Sequence, residues 1–155
     1  MQDKLDFLWR THSYINDYIR LADAKALGIL AVFGALIGLL LDRMVDRNLS
    51  DGETALAASA IAVSALAMAA AGFVVFPRTW GHPTGMVYWK AIRSKTQSQF
   101  LSDHQNATTD GLLNILSKHT YEIAGVATNK YNALLFAFGL GAIGLVLSFS
   151  ALAVV

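Results

Sequence analysis

Three uncharged apolar runs, Ala26–Leu41, Thr54–Phe76 and Tyr131–Val155, limit what this chain of 155 residues can fold into. A bilayer's hydrocarbon core is roughly 30 Å thick and takes about 17–25 apolar residues of helix to cross. The second and third runs reach that length directly. The first is uncharged for only 16 residues, but Ala24 and a snorkelling Lys25 extend it to a full span. The pattern predicts an all-α membrane protein with three transmembrane helices, the first and third extended into a cytoplasmic helical bundle. Composition agrees, since 55% of residues are hydrophobic and 15% charged, with the apolar excess concentrated in the runs.

What lies between the runs is too short for an ordinary soluble domain. The whole chain therefore reads as a single unit. Its parts are a cytoplasmic helix over 1–25, spans over 26–41, 54–76 and 131–155, and a cytoplasmic segment over 77–130. The absence of cysteine removes disulfides, thiolate metal sites and cysteine nucleophiles. A formal net charge of +1 without a basic run offers nucleic acid no electrostatic footprint, so none is expected as a partner. Acidic residues among the first 25, with no small-residue cleavage site after the first run, argue against a secretory signal peptide.

Basic residues set the expected orientation. Lys4, Arg10, Arg20, Lys25, Arg78, Lys90, Arg93, Lys95, Lys118 and Lys130 lie on one side, and only Arg43 and Arg47 on the other. This excess places the N-terminus and the 77–130 segment in the cytoplasm, and the C-terminus outside.

The only prolines are Pro77 and Pro83. Before them, Leu5, Leu8, His12, Ile15, Ile19, Ala22 and Ala26 recur at alternating three- and four-residue steps, which predicts one helix over Asp3–Leu41. Asp42–Glu53 reads as a short external turn, and Pro77 ends the second span. Thr84 is expected to cap a helix reaching about Leu101, with Met86, Tyr88, Trp89, Ile92 and Phe100 buried. Ser102–Thr109 reads as a loop, and Asp110 as the cap of a last helix. There Leu113, Leu116, Thr120, Ile123, Ala127 and Leu134 carry the same seam into the third span. Gly34/Gly38, Ala137/Gly141, Gly144/Ser148 and an alanine-rich second span permit close helix approach, within one chain or between copies.

Asp23 and Lys25 stand at the mouth of the first span and Lys130 at that of the third, which predicts an interfacial ion pair. His12 and His119 read as packed histidines, with no second ligand three or four residues away to suggest a metal. No HExxH, GxSxG or P-loop occurs, so the chain is not expected to be an enzyme and implies no cofactor. No ionisable residue lies inside the three runs, which disfavours an ion-coupled transporter.

Residues 20–28, Arg-Leu-Ala-Asp-Ala-Lys-Ala-Leu-Gly, lead a charged amphipathic helix directly into a span. Together with Pro77-Arg78, the aromatic Met86–Lys90 segment and Ile123–Tyr131, this resembles the PycTM family, the membrane-spanning Pycsar effectors of bacterial antiphage defence. The resemblance runs over nearly the whole chain, and Asp23-Ala24-Lys25-Ala26 is its most specific element. It implies an inner-membrane, oligomeric effector beside a pyrimidine cyclase. A cyclic pyrimidine nucleotide, cUMP or cCMP, would activate it, membrane integrity would fail, and the cell would die before phage release.

No β-rich cyclic-nucleotide domain is present, so a directly bound messenger would sit on the helical cytoplasmic part. Arg78, Trp80, His82 and Lys90 gather cations and rings near the proline elbow, and a nucleotide needs a donor for its phosphate and a flat face for its base. The same residues also suit an interfacial anchor. Two other functions fit the pattern: an accessory membrane subunit that binds a protein partner through its cytoplasmic helices, and a constitutive holin-like pore former.

Overall fold

The computed structural model describes residues 2–46, 49–76 and 86–154. They form five helices: α1 (Gln2–Asp46), α2 (Asp51–Val75), α3 (Trp89–Arg93), α4 (Gln97–Gln105) and α5 (Thr109–Val154). No strand occurs among the described residues. Helices α1, α2 and α5 are each long and apolar enough to cross a membrane, and the chain is an all-α membrane protein.

α1 holds 45 residues and α5 46, about 68 Å each at 1.5 Å per residue. Neither contains proline, and each continues past its apolar run. α1 does not stop at Leu41 but runs on to Asp46, with Arg43 in its last turn, where a cation suits the helix dipole. α2 begins at Asp51, earlier than the apolar run alone indicates, because Ser50 and Glu53 form a capping box. The Ser50 amide donates to the Glu53 carboxylate at 2.8 Å, and the Glu53 amide donates to Ser50 Oγ at 3.4 Å. Its last bond runs from the Phe76 amide to the Gly72 carbonyl, and Pro77 follows.

The chain divides into two compact units. The membrane unit comprises Arg20–Phe76 and Asn129–Val155. Its buried positions are Ala57, Ala60, Ser64, Ala67, Ala71 and Val74 on α2, and Lys130, Leu134, Ala137, Gly141, Gly144, Ser148 and Ala151 on α5. Both sets step strictly by three and four, the 3.5-residue period of supercoiled helices. Ala22, Ala26, Ile29, Phe33 and Leu40 complete the core from α1.

Small residues dominate because lipid offers no hydrophobic drive for association, leaving close packing and hydrogen bonds. Phe33 shows how tight the fit is: a Cβ at Gly141 or Gly144 would lie 3.1 Å from its ring. Beside it, the hydroxyls of Ser64 and Ser148 face each other at 3.5 Å, fully buried. Thus Ala137/Gly141 and Gly144/Ser148 serve packing within the chain. Gly38 does not, since it is exposed and a Cβ there would meet nothing within 4 Å, and exposed Gly34 meets only the tip of Met68, 3.8 Å from an added Cβ.

The polar unit comprises Met1–Ile19 and Pro77–Thr128. His12, Ala91, Leu116 and Thr120 are buried in it, with Leu5, Leu8, Ile15, Leu113 and Ile123 half-buried. The helix expected to reach about Leu101 is instead two helices. Ser94 Oγ bonds the Ala91 carbonyl at 2.8 Å and closes α3, while Thr96 and Gln99 form a capping box that opens α4. A Lys95–Asp103 ion pair at 2.7 Å bridges the break.

The proposed start of that helix, Thr84, lies outside the described residues. α4 extends to Gln105, into the stretch expected to be a loop. Trp89, expected in the core, is 61% exposed, and Ala91 takes the buried position. α5 is capped by Thr108, whose hydroxyl accepts the Gly111 amide at 3.2 Å, while Asp110 sits in the first turn.

Candidate functional site

Two constellations of polar side chains stand out, one in each unit. In the membrane unit, Lys130 falls on the α5 seam, four residues before Leu134, so its stem packs as a core residue would. Its side chain is 7% exposed, and its ammonium donates to Asp23 Oδ1 on α1. A buried ammonium without a partner is strongly disfavoured, and the carboxylate offsets that cost. Lys25 turns elsewhere, with its ammonium 6.0 Å from the centre of the Tyr131 ring, within reach of a cation–π interaction. Of the three charges at the span mouths, the structure joins Asp23 to Lys130 and sets Lys25 against an aromatic.

The polar unit holds a ladder of rings. Trp9 stacks on His12 with centroids 5.5 Å apart, and His12 on His119 at 5.1 Å. Tyr88 approaches His119 from the segment before α3, at 6.4 Å. Burial, and secondly the neighbouring His119, lower the pKa of His12 below its usual 6.5 and favour the neutral ring. His12 Nδ1 and Thr120 Oγ1 are buried with no hydrogen-bond partner among the described residues.

Next to this ladder, a cavity of about 250 Å³ opens between the Val87–Tyr88 segment and α5. Asn114, Ile115, Lys118, His119 and Glu122 line it from the helix, along with Val87 and Tyr88. Positions 114, 118 and 122 lie one above another on a helix face, with 115 and 119 beside them. His119 Nδ1 stands 3.8 Å from a Glu122 carboxylate oxygen, whereas Lys118 and Asn114 have no ion pair or hydrogen bond among the described residues. The site thus combines a cation, a carboxylate, an amide and two rings. No group of three or more potential metal-ligating residues occurs among the described residues.

Of the elbow residues, Arg78, Trp80 and His82 lie outside the described residues. Lys90 is on α3, its ammonium 5.6 Å from the Trp89 ring centre, and it does not line the cavity. Asn114, Lys118 and Glu122 escape a reading of the sequence alone. The available signal is a polar i, i+4, i+8 row flanking the seam, and it looks the same as an ordinary solvated helix face.

A family model described as the Pycsar effector protein domain, PycTM, matches residues 7–155. The Pycsar effector protein SaPycTM of Staphylococcus aureus is 28% identical over 144 residues, which cover 91% of this chain and 89% of the relative. No solved structure matches. With three helices long and apolar enough to cross a membrane, and a family match over nearly its full length, the chain belongs to the PycTM family of Pycsar effector proteins.

Proposed function

We propose that this chain is a bacterial antiphage effector of the inner membrane, activated by a cyclic pyrimidine nucleotide and acting by impairing membrane integrity, so that infected cells die before phage is released. The observation that carries this reading is the family match over residues 7–155. The fold is compatible with it: α1 and α5 each run unbroken from the polar unit into a span. A ligand that binds one packing of these helices better than another shifts the equilibrium between them by its differential affinity. In this reading residues 1–155 act as one non-enzymatic module in the bilayer, assembling with further copies. A partner cyclase supplies cUMP or cCMP.

The excess of basic residues supports a cytoplasmic polar unit, on the side where such a messenger would appear. Reporter fusions check the orientation: one after Val155 should behave as periplasmic and one near Gln105 as cytoplasmic. The function itself is tested by co-expressing the chain with an active or an inactive pyrimidine cyclase and following a membrane-impermeant dye. Uptake with the active cyclase alone is expected. Equal uptake with both would point instead to a constitutive pore former, and none with either to an accessory subunit.

A further inference from the structure

We infer that the cavity between Val87–Tyr88 and α5 is a mononucleotide site, taking the phosphate of a pyrimidine 3′,5′-cyclic nucleotide at Lys118 and its base against the rings of Tyr88 and His119. This assignment rests on the messenger-activated reading above and locates the messenger. Its basis is the match between the side chains present and the parts of one small ligand.

Size is the first constraint. At about 250 Å³ the cavity is smaller than most drug-sized sites, which run roughly 300–1,000 Å³. It has room for one mononucleotide. Charge is the second. A cyclic phosphodiester carries a single negative charge, and Lys118 supplies one cation that no described carboxylate already holds.

The rings supply the third match, because Tyr88 and His119 converge on the cavity from different segments and a base can lie on either face. Asn114 has both an acceptor oxygen and donor hydrogens. It can therefore read the edge of uracil, where N3–H donates and O4 accepts, or, with the amide turned, the edge of cytosine. Glu122 offers a carboxylate to the 2′-hydroxyl, the one ribose hydroxyl that a 3′,5′-cyclic nucleotide leaves free.

The position of the site connects binding to packing. His119 lines the cavity and also stacks on His12 of α1. A base seated on His119 bears on the His12–His119 contact, and so on the pairing of α1 with α5 in this unit. Both helices continue into spans. No α1 residue lines the cavity, so the coupling to α1 runs through His119.

The test is calorimetric titration of the full chain in detergent with cUMP and with cCMP, using cAMP, uridine and inorganic phosphate as comparisons. Lys118 and Asn114 are exposed, so Lys118→Gln and Asn114→Ala should leave the helix content and elution volume unchanged. Each is expected to weaken binding about tenfold or more, as should Tyr88→Ala. Arg93→Gln, a cation of α3 outside the cavity, should bind like the parent. Uridine and phosphate should bind far more weakly than the intact cyclic nucleotide.

If the parent chain binds neither cyclic pyrimidine, or if Lys118→Gln and Asn114→Ala bind as tightly as the parent, the assignment is overturned. The dye-uptake experiment judges the broader reading separately. Cyclase-dependent uptake that survives both substitutions would leave the effector function standing and move the messenger site elsewhere.

Discussion

The two units treat buried polar groups in opposite ways. In the membrane unit Lys130 is held by Asp23, and Ser64 faces Ser148. Its α2 and α5 seams are otherwise alanine, glycine and aliphatic residues at unbroken three-four steps. In the polar unit the same seam places His12 and Thr120 in the core with a buried nitrogen and a buried hydroxyl unpartnered among the described residues. A cavity opens beside them. An unmade hydrogen bond at a buried group costs roughly 1–3 kcal/mol, so the polar unit gives up packing quality that the membrane unit retains. One seam thus serves two ends: tight association where lipid supplies no drive, and a less completely satisfied packing that suits the ligand-driven shift proposed above.

The largest effect should come from unpairing Lys130. Asp23→Ala leaves a buried ammonium uncompensated, a loss of roughly 3–5 kcal/mol for fully buried pairs. Because Asp23 keeps 32% of its side-chain surface exposed, about 3 kcal/mol is expected, read as a lower unfolding temperature in detergent and less folded protein in the membrane. The exchanged pair Asp23→Lys with Lys130→Asp should regain part of it. Lys25→Ala, which removes only an exposed cation near Tyr131, should change little. Wild-type stability in Asp23→Ala would mean that the membrane unit tolerates unsatisfied polar groups as the polar unit does, and the contrast would collapse.

A smaller loss should separate the glycines that pack from those that do not. Gly144→Leu drives a side chain into the Phe33 ring, 3.1 Å from the added Cβ, and into Ser64, whose Oγ lies 3.3 Å from it. Two neighbours must give at once, so about 1–3 kcal/mol is expected. Gly141→Leu meets only the Phe33 ring and should cost less. Gly38→Leu enters open space and should fall within about 0.5 kcal/mol. Thermal melts of the three variants in one detergent give the order, and a loss at Gly38 equal to that at Gly144 would show that copies of the chain pack against the Gly34–Gly38 face.

How much of this was legible beforehand depends on the range of the interaction. The three spans and the two long helices can be read because hydropathy and the three-four period are local, and no proline interrupts them. The positions His12, Ala22, Ala26, Leu116, Thr120 and Leu134 fall on the expected seam and are buried. The break between α3 and α4 is less visible, because Ser94-Lys95-Thr96 contains neither glycine nor proline. Only the Thr96–Gln99 capping box marks it. Trp89 was expected inside on hydrophobicity alone, yet Ala91 suffices to fill the position. The cavity was not legible at all. Its Asn114, Lys118 and Glu122 form a site only because Tyr88, from a segment distant in sequence, is brought across them, and no periodicity within α5 encodes that approach.

The smallest effect expected is a pH dependence confined to the polar unit. His12 sits between Trp9 and His119, with Glu122 beside His119, and burial first and His119 second lower its pKa. As pH falls below the ordinary histidine value of 6.5, the unfolded chain takes up a proton before the folded one does. The unfolded state then binds more protons, so stability is full above that pH and declines as it drops toward the folded pKa. One proton limits the slope to about 1.4 kcal/mol per pH unit. His12→Phe keeps an aromatic in the stack, removes the titrating group and the unpartnered nitrogen, and should flatten the profile between pH 7 and pH 5. The measurement is hydrogen exchange of amides in Leu5–Ile15 and Leu113–Ile123 at the two pH values, after correction for intrinsic rates, with amides of α2 as the internal reference. Loss of protection at low pH should appear in the parent, shrink in His12→Phe and be absent from α2. An equal loss in α2 would place the titration outside the ring ladder.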